Sequence, residues 1–232
     1  MGFLEGIMEI MEDRRAETMR NFLLGFVLIA LCVQISAAYD LLPPSWRGAA
    51  NTTFQGWEFD TPDNPAVLEP TVMNPYGLPE LSIVNPFGMT NWLPSYNTGV
   101  GEESGIWKLY AGQLVLEIPN TENTAPDSFK EVWMQVTYHD PGGAGGYLPF
   151  VVDPVYTSIN LEQRLVLDSG FYHDTYSIII EPNPTHEQIL ISPIQCQLYV
   201  DEVVVDTICI PEPATLGLLG IGGMLLCRKR RA

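Results

Sequence analysis

The sequence predicts an all-β fold, a β-sandwich of jelly-roll type. Three observations predict it. Between Tyr39 and Ile210 no stretch keeps a helical spacing of apolar residues, whereas several alternate apolar and polar side chains with the period of two of a half-buried strand. Breakers rich in Gly, Pro and Asn interrupt the alternation at short intervals. Eight or more short strands separated by such turns suit two packed sheets better than a layered α/β arrangement.

The elements follow in order. From Tyr39 to Pro79 the chain is rich in Pro and Asn, so much of it is expected to be irregular and to wrap along the sandwich. Phe54 to Phe59 is a strand candidate within it. Asn74-Pro75-Tyr76-Gly77 and Asn85-Pro86-Phe87-Gly88 are near-copies. Asn-Pro with Gly at the fourth place suits a type I turn, so the two are expected to bracket one short strand, Leu81 to Val84. Ile106 to Ile118 alternates Leu114, Leu116 and Ile118 with Gln113 and Glu117. In Glu131 to Tyr138, Val132, Met134, Val136 and Tyr138 share one face and Trp133, Gln135 and Thr137 the other. Asp140 to Gly146 is a glycine-rich loop. Ile159 to Leu167, Thr175 to Glu181, Gln188 to Leu198 and Val203 to Ile210 complete the strand candidates.

Asp201-Glu202 reads as a two-residue hairpin turn. Cys196 then faces Thr207, with Cys209 on the diagonal, about 7–8 Å away. A disulfide spans about 4.4–6.8 Å. A register shift would bring the two into range, so a Cys196–Cys209 bond stays open in an exported chain.

Both ends read as addresses. Arg14, Arg15 and Arg20 precede an uncharged, mostly apolar run from Asn21 to Val33, and Ser36-Ala37-Ala38 offers small residues for a signal peptidase. Residues 1–38 are therefore expected to be a signal peptide cleaved near Ala37 or Ala38. Glu5, Glu9, Glu12, Asp13 and Glu17 put acid where a signal wants base, which makes Met19 a candidate start and residues 1–18 a mis-called extension. Leu31 before Cys32 is not the small residue a lipoprotein signal requires.

At the other end stand Pro211-Glu212-Pro213, an apolar segment from Ala214 to Cys227, and the basic cluster Arg228, Lys229, Arg230 and Arg231. Each Pro fixes its own φ and lacks an N–H, so the first part stops helix and strand alike. The second part, 214–227, is expected to be a short transmembrane helix. Its length is about 21 Å at 1.5 Å per residue, against a hydrocarbon core of about 30 Å. Gly217, Gly220, Gly222 and Gly223 weaken it further. The basic cluster is expected to stay cytoplasmic.

This order resembles the PEP-CTERM sorting signal of bacterial exported proteins, carried by Pro211-Glu212-Pro213-Ala214-Thr215 and the terminal Arg/Lys cluster. The blocks Lys130 to Tyr138 and Val203 to Ile210 look like those of such proteins from planctomycete-type bacteria. The resemblance implies export through the secretion machinery and insertion of the tail in the membrane. It further implies processing by an exosortase, a membrane-embedded transpeptidase-like enzyme, and then residence in the envelope or outside the cell, often with exopolysaccharide.

Charge bounds the partners of the domain at 39–210. Between Tyr39 and Pro213 only Arg47, Lys108, Lys130 and Arg164 are basic, against 23 acids. Such a field repels nucleic acid and anionic lipid. Motifs bound the chemistry. The three histidines lie in no zinc-ligand spacing, and there is no nucleophile elbow, phosphate loop or dinucleotide fingerprint. Glu102-Glu103 and Asp201-Glu202 are adjacent in sequence, which does not give the opposed carboxylates of a glycosidase. No catalytic residue, metal ligand or cofactor is expected, although the acid content leaves calcium open. The expectation is a non-enzymatic envelope or extracellular-matrix protein. The alternatives are a carbohydrate- or calcium-binding module and a secreted hydrolase. For carbohydrate, the expected contact face is Trp133, Gln135 and Thr137, extended by His139, because aromatic rings stack on sugars beside polar groups that bond hydroxyls.

Overall fold

Alternation of apolar and polar residues gives this chain its strands, and the computed structural model describes residues 40–120, 128–143, 147–153, 156–194 and 197–211. The expected signal peptide, membrane helix and basic cluster fall outside them. Among the described residues there are eleven strands and no helix: β1 (Thr52–Glu58), β2 (Glu80–Val84), β3 (Asn91–Asn97), β4 (Glu102–Tyr110), β5 (Gln113–Pro119), β6 (Ser128–His139), β7 (Tyr147–Asp153), β8 (Ser158–Val166), β9 (Tyr172–Ile180), β10 (His186–Pro193) and β11 (Gln197–Pro211). They form two antiparallel sheets. The larger runs β3-β4-β11-β6-β9-β8, with β1 also paired to β11; the smaller runs β2-β5-β10-β7.

One apolar core lies between the sheets. From the larger sheet it takes Trp57, Trp107, Leu109, Val132, Met134, Val136, Ile178 and Val205. From the smaller it takes Leu81, Leu114, Leu116, Ile118, Ile189 and Ile191. Each set repeats every second residue, as a strand with one buried face requires. Most of these side chains have no exposed surface, so truncating one to Ala would cost about 2–5 kcal/mol. The expected Asn-Pro turns do bracket β2, and Gly88 closes the second with φ +68° and its N–H on Asn85 O at 3.4 Å.

Four expectations need correction. Ile106 to Ile118 is not one strand: β4 and β5 are separated at Ala111 and Gly112. β3 and β7 were not legible, because Pro94 and Pro149 break the pattern; both are edge strands, where a missing N–H is tolerated. The strand expected from Thr175 begins earlier, at Tyr172, so His173 lies within β9.

The fourth correction matters most. Asp201-Glu202 is not a hairpin turn, because β11 runs unbroken for 15 residues. One of its edges pairs with β6 from Tyr199 to Pro211. The other pairs with β4 over Gln197–Val200 and with β1 over Glu202–Ile208. The change of partner falls at Asp201, where the β6 register also shifts. Asp201 is thus the extra residue of a β-bulge. The bulge reverses the alternation: Leu198 and Val200 face the core before it, and Val203 and Val205 after it. Asp201 and Glu202 consequently both point outward.

Candidate functional site

The outer face of the larger sheet carries Trp133, Gln135 and Thr137 in a row on β6, as the alternation predicts. It is not a free contact surface, because residues 40–47 lie across it as a strap. Leu42 N–H donates to Gln135 Oε1 at 2.8 Å, Gln135 Nε2 donates to Asp40 Oδ1 at 2.7 Å, and Trp133 Nε1 donates to Leu42 O at 2.8 Å. Gln135 and Thr137 are each 1% exposed. His173 completes the layer, with Nδ1 3.0 Å from Thr137 Oγ1 and Nε2 3.2 Å from Gln135 Oε1. A proton on Nε2 and none on Nδ1 satisfies both contacts. Burial pushes the His173 pKa down, which favours that neutral ring.

Arg47 pins the strap. Its Nε and Nη2 bond Asp206 Oδ1 and Oδ2 at 2.5 and 2.6 Å, Nη2 and Nη1 also meet Asp40, and the guanidinium sits 4.3 Å from the centre of the Phe54 ring. Burial raises the Asp206 carboxyl to about 6, with Arg47 opposing the rise. His139 is held apart from this row, its Nδ1 3.2 Å from Gly170 O and its ring packed on Tyr96 and Phe171. The proposed glycan-contact face is thus occupied by the chain's own amino-terminal segment.

Beside the strap, the bulge builds an acidic site from three segments. Glu58 and Glu202 are direct cross-strand partners on β1 and β11. Glu69 comes from the crossover between β1 and β2. Its N–H donates to Gly56 O at 3.0 Å, and its carboxylate lies over Gly56, where a Cβ would push it aside. Gly105 serves the same region: with φ +73° it lets β4 cross Phe59, where a Cβ would fall 2.5 Å from Phe59 O. Ligand oxygens of Glu58, Glu69 and Glu202 all lie within 4.8 Å of one another, close enough to share a metal ion.

Asp201, 9% exposed, is raised to about 8 by burial and by the charges of Glu103, Glu58 and Asp60. Burial and neighbouring acids also raise Glu58 and Glu69. Sequence reasoning missed this site. The available signal was the switch in apolar parity across Asp201-Glu202, which marks a bulge rather than a turn.

The interior holds a different polar cluster at the end where β11 leaves the sandwich. Lys130 on β6 and Glu187 on β10 have no exposed surface and form an ion pair between the sheets. Burial raises the Glu187 pKa and Lys130 opposes the rise. Cys209 is the register partner of Lys130, and its thiol donates to Asn120 Oδ1 at 3.1 Å. Asn120 Nδ2 in turn bonds Asn183 Oδ1 at 2.8 Å and Pro184 O at 2.6 Å. Cys196 lies outside the described residues. Its neighbour Gln197 stands at the opposite end of β11 from Cys209, roughly 40 Å of strand away at about 3.3 Å per residue. The expected approach of the two cysteines across a hairpin is therefore lost with the hairpin.

The outer face of the smaller sheet carries a ladder of polar residues, with Glu80 opposite Glu117 and Glu117 opposite Gln188. Gln188 Nε2 donates to Glu117 Oε1. A cavity of about 460 Å³ opens over this row, lined by Tyr76, Glu80, Glu117, Thr185 and His186 among others.

Of the carboxyl-terminal motif, Pro211 is the last residue of β11, paired with Ser128 of β6. Glu212, Pro213 and Arg228 to Arg231 lie outside the described residues. No curated protein and no solved structure matches the chain. Residues 210–231 match the family described as the PEP-CTERM protein-sorting motif. The polypeptide is therefore all-β over its described residues and carries a PEP-CTERM sorting motif, the mark of an exported envelope or extracellular protein directed to a membrane exosortase.

Proposed function

We propose that this protein is a non-enzymatic component of the cell envelope or extracellular matrix, exported through an amino-terminal signal and processed at its carboxyl-terminal tag. The observation that carries the reading is the join: Pro211 is at once the last ladder residue of the sandwich and the first residue of Pro211-Glu212-Pro213. The motif region 210–231 begins within β11, so the sorting segment follows the domain without a linker. The short, glycine-rich segment 214–227 suits a membrane stay that ends with processing.

The strand order supports a jelly-roll. β4-β11-β6-β9 faces β5-β10-β7, and from β4 to β8 the chain changes sheets at every step. β8 pairs with β9 instead of β7, which extends the larger sheet. A non-enzymatic role is supported by the carboxylate geometry. Glu80 and Glu117 stand side by side on one face, whereas glycoside hydrolysis needs carboxyls on either side of the scissile bond. An extracellular polysaccharide remains the partner that the tag's family suggests. With the Trp133 row covered by the strap, the cavity at Glu80, Glu117 and His186 is the better place for it.

Mass spectrometry of the carboxyl end in the native host tests the main reading. A terminus near Pro213 that depends on the exosortase supports it. An intact Arg231-Ala232 in the mature protein overturns it in favour of a permanent anchor.

A further inference from the structure

The acidic site on the outer bulge has a use beyond sorting and export. Three observations converge on it. Carboxylate oxygens from Glu58, Glu69 and Glu202 gather within 4.8 Å. Glu69 Oε1 is buried without a hydrogen-bond partner. Asp201 is 9% exposed, no hydrogen bond or ion pair among the described residues engages it, and its charged neighbours are Glu103, Glu58 and Asp60. A buried carboxylate oxygen without a hydrogen bond, set among three converging acids, is costly unless a cation joins them.

We propose that Glu58, Glu69 and Glu202 bind one calcium ion, with Asp201 adding negative charge next to Glu202 on the same bulge, and that the ion clamps the crossover between β1 and β2 onto the sandwich. The donor set is all oxygen, which excludes the sulfur and nitrogen preferences of zinc. Calcium takes several carboxylates in a flexible geometry, whereas magnesium keeps several waters and is held through one or two carboxylates. Three converging carboxylates favour calcium.

The clamp follows from which segments the ligands come from. The crossover carrying Glu69 is tied to the smaller sheet by Ala66 N–H on Leu81 O and by Asn64 on both backbone groups of Ile83, each at 2.8 Å. It is tied to the larger sheet by the Phe54–Met73 bridge and the Glu69–Gly56 bond. A cation joining Glu69 to Glu58 and Glu202 fixes this flap to β1 and β11 together. Extracellular calcium modules have dissociation constants of about 10⁻⁴–10⁻³ M. A site of that class stays metal-free in a low-calcium cytoplasm and fills after export.

The test is thermal unfolding of the full chain with EGTA, calcium or magnesium, together with calorimetric titration of calcium. At about a hundredfold excess over the dissociation constant the melting temperature is expected to rise by about 5–10 °C with calcium, and by less with magnesium. Glu69→Gln is expected to melt higher than the wild type in EGTA, because a repelling charge is gone, and to lose the calcium response. Glu80→Gln, on the other sheet, keeps it. A wild type with no shift and no calcium binding overturns the proposal. So does a Glu69→Gln chain that keeps the full response, because the ion would then sit elsewhere.

Discussion

Two polar clusters sit on β11, about 25 Å apart along the strand, and solve the same problem differently. At Cys209 the acid Glu187 is wholly buried, and Lys130 is buried against it. At Asp201-Glu202 the acids gather at the surface side of the sheet, and the nearest charges on Asp201 are other acids. The first cluster is neutralised by the chain itself. The second is left to its surroundings, whether protons or a metal. A fold that encloses charge between two sheets must balance it internally, because no ion can enter. A bulge on the outer face is free of that demand, so its charge can respond to the medium.

The comparison breaks first at the buried pair. Lys130→Met leaves Glu187 without its partner and is expected to cost about 3–5 kcal/mol in denaturant unfolding. Adding Glu187→Leu should recover most of the loss. If the single variant costs under about 1 kcal/mol, Glu187 is not held as an ion.

The acidic bulge predicts the opposite sign. Asp201 titrates near 8 in the folded chain and near 3.9 when unfolded. Between those values the folded state holds a proton that the unfolded state has lost. The group's contribution therefore falls as pH rises from about 4 to about 8. Calcium-free protein should melt lower at pH 8 than at pH 5, and Asp201→Asn should flatten that slope and stabilise by on the order of 2 kcal/mol at pH 8. An unchanged slope in Asp201→Asn assigns the titration to another group.

The strap gives the smallest effect. Trp133→Phe keeps the ring but loses the bond to Leu42 O, worth about 0.5–1.5 kcal/mol. Hydrogen exchange at Leu42 N–H, which reports the strap directly, should quicken by the matching factor of about 2–13. A variant that exchanges as slowly as the wild type would show that Arg47 alone holds the strap.

Much of the fold was legible, for reasons that particular residues make plain. β6 and β9 show their alternation because one face of each packs on the opposing sheet. β2 was legible from the turns on either side of it. β3 and β7 were hidden by Pro94 and Pro149, which edge strands tolerate and pattern reading penalises. β11 was misread because a bulge and a turn both set two acids between apolar runs. They differ only in whether Val200 and Val203 face each other or follow each other. The acidic site was illegible for a further reason. Glu58 and Glu69 are brought to Glu202 only by the β1–β11 pairing and the return of the crossover, and no local pattern encodes either. The Trp133 row was placed on the right face, but nothing in its own sequence shows that residues 40–47 cover it.

The bulged strand has one more consequence, and it is mechanical. The chain passes to its tag straight from Pro211, so a pull at that end runs along β11. β11 is an interior strand, bonded to β6 on one edge and to β1 on the other near that end. Such a load shears many ladder hydrogen bonds at once and does not peel them off one by one. While the chain is held by its tail, the best-anchored strand of the sandwich carries the tension.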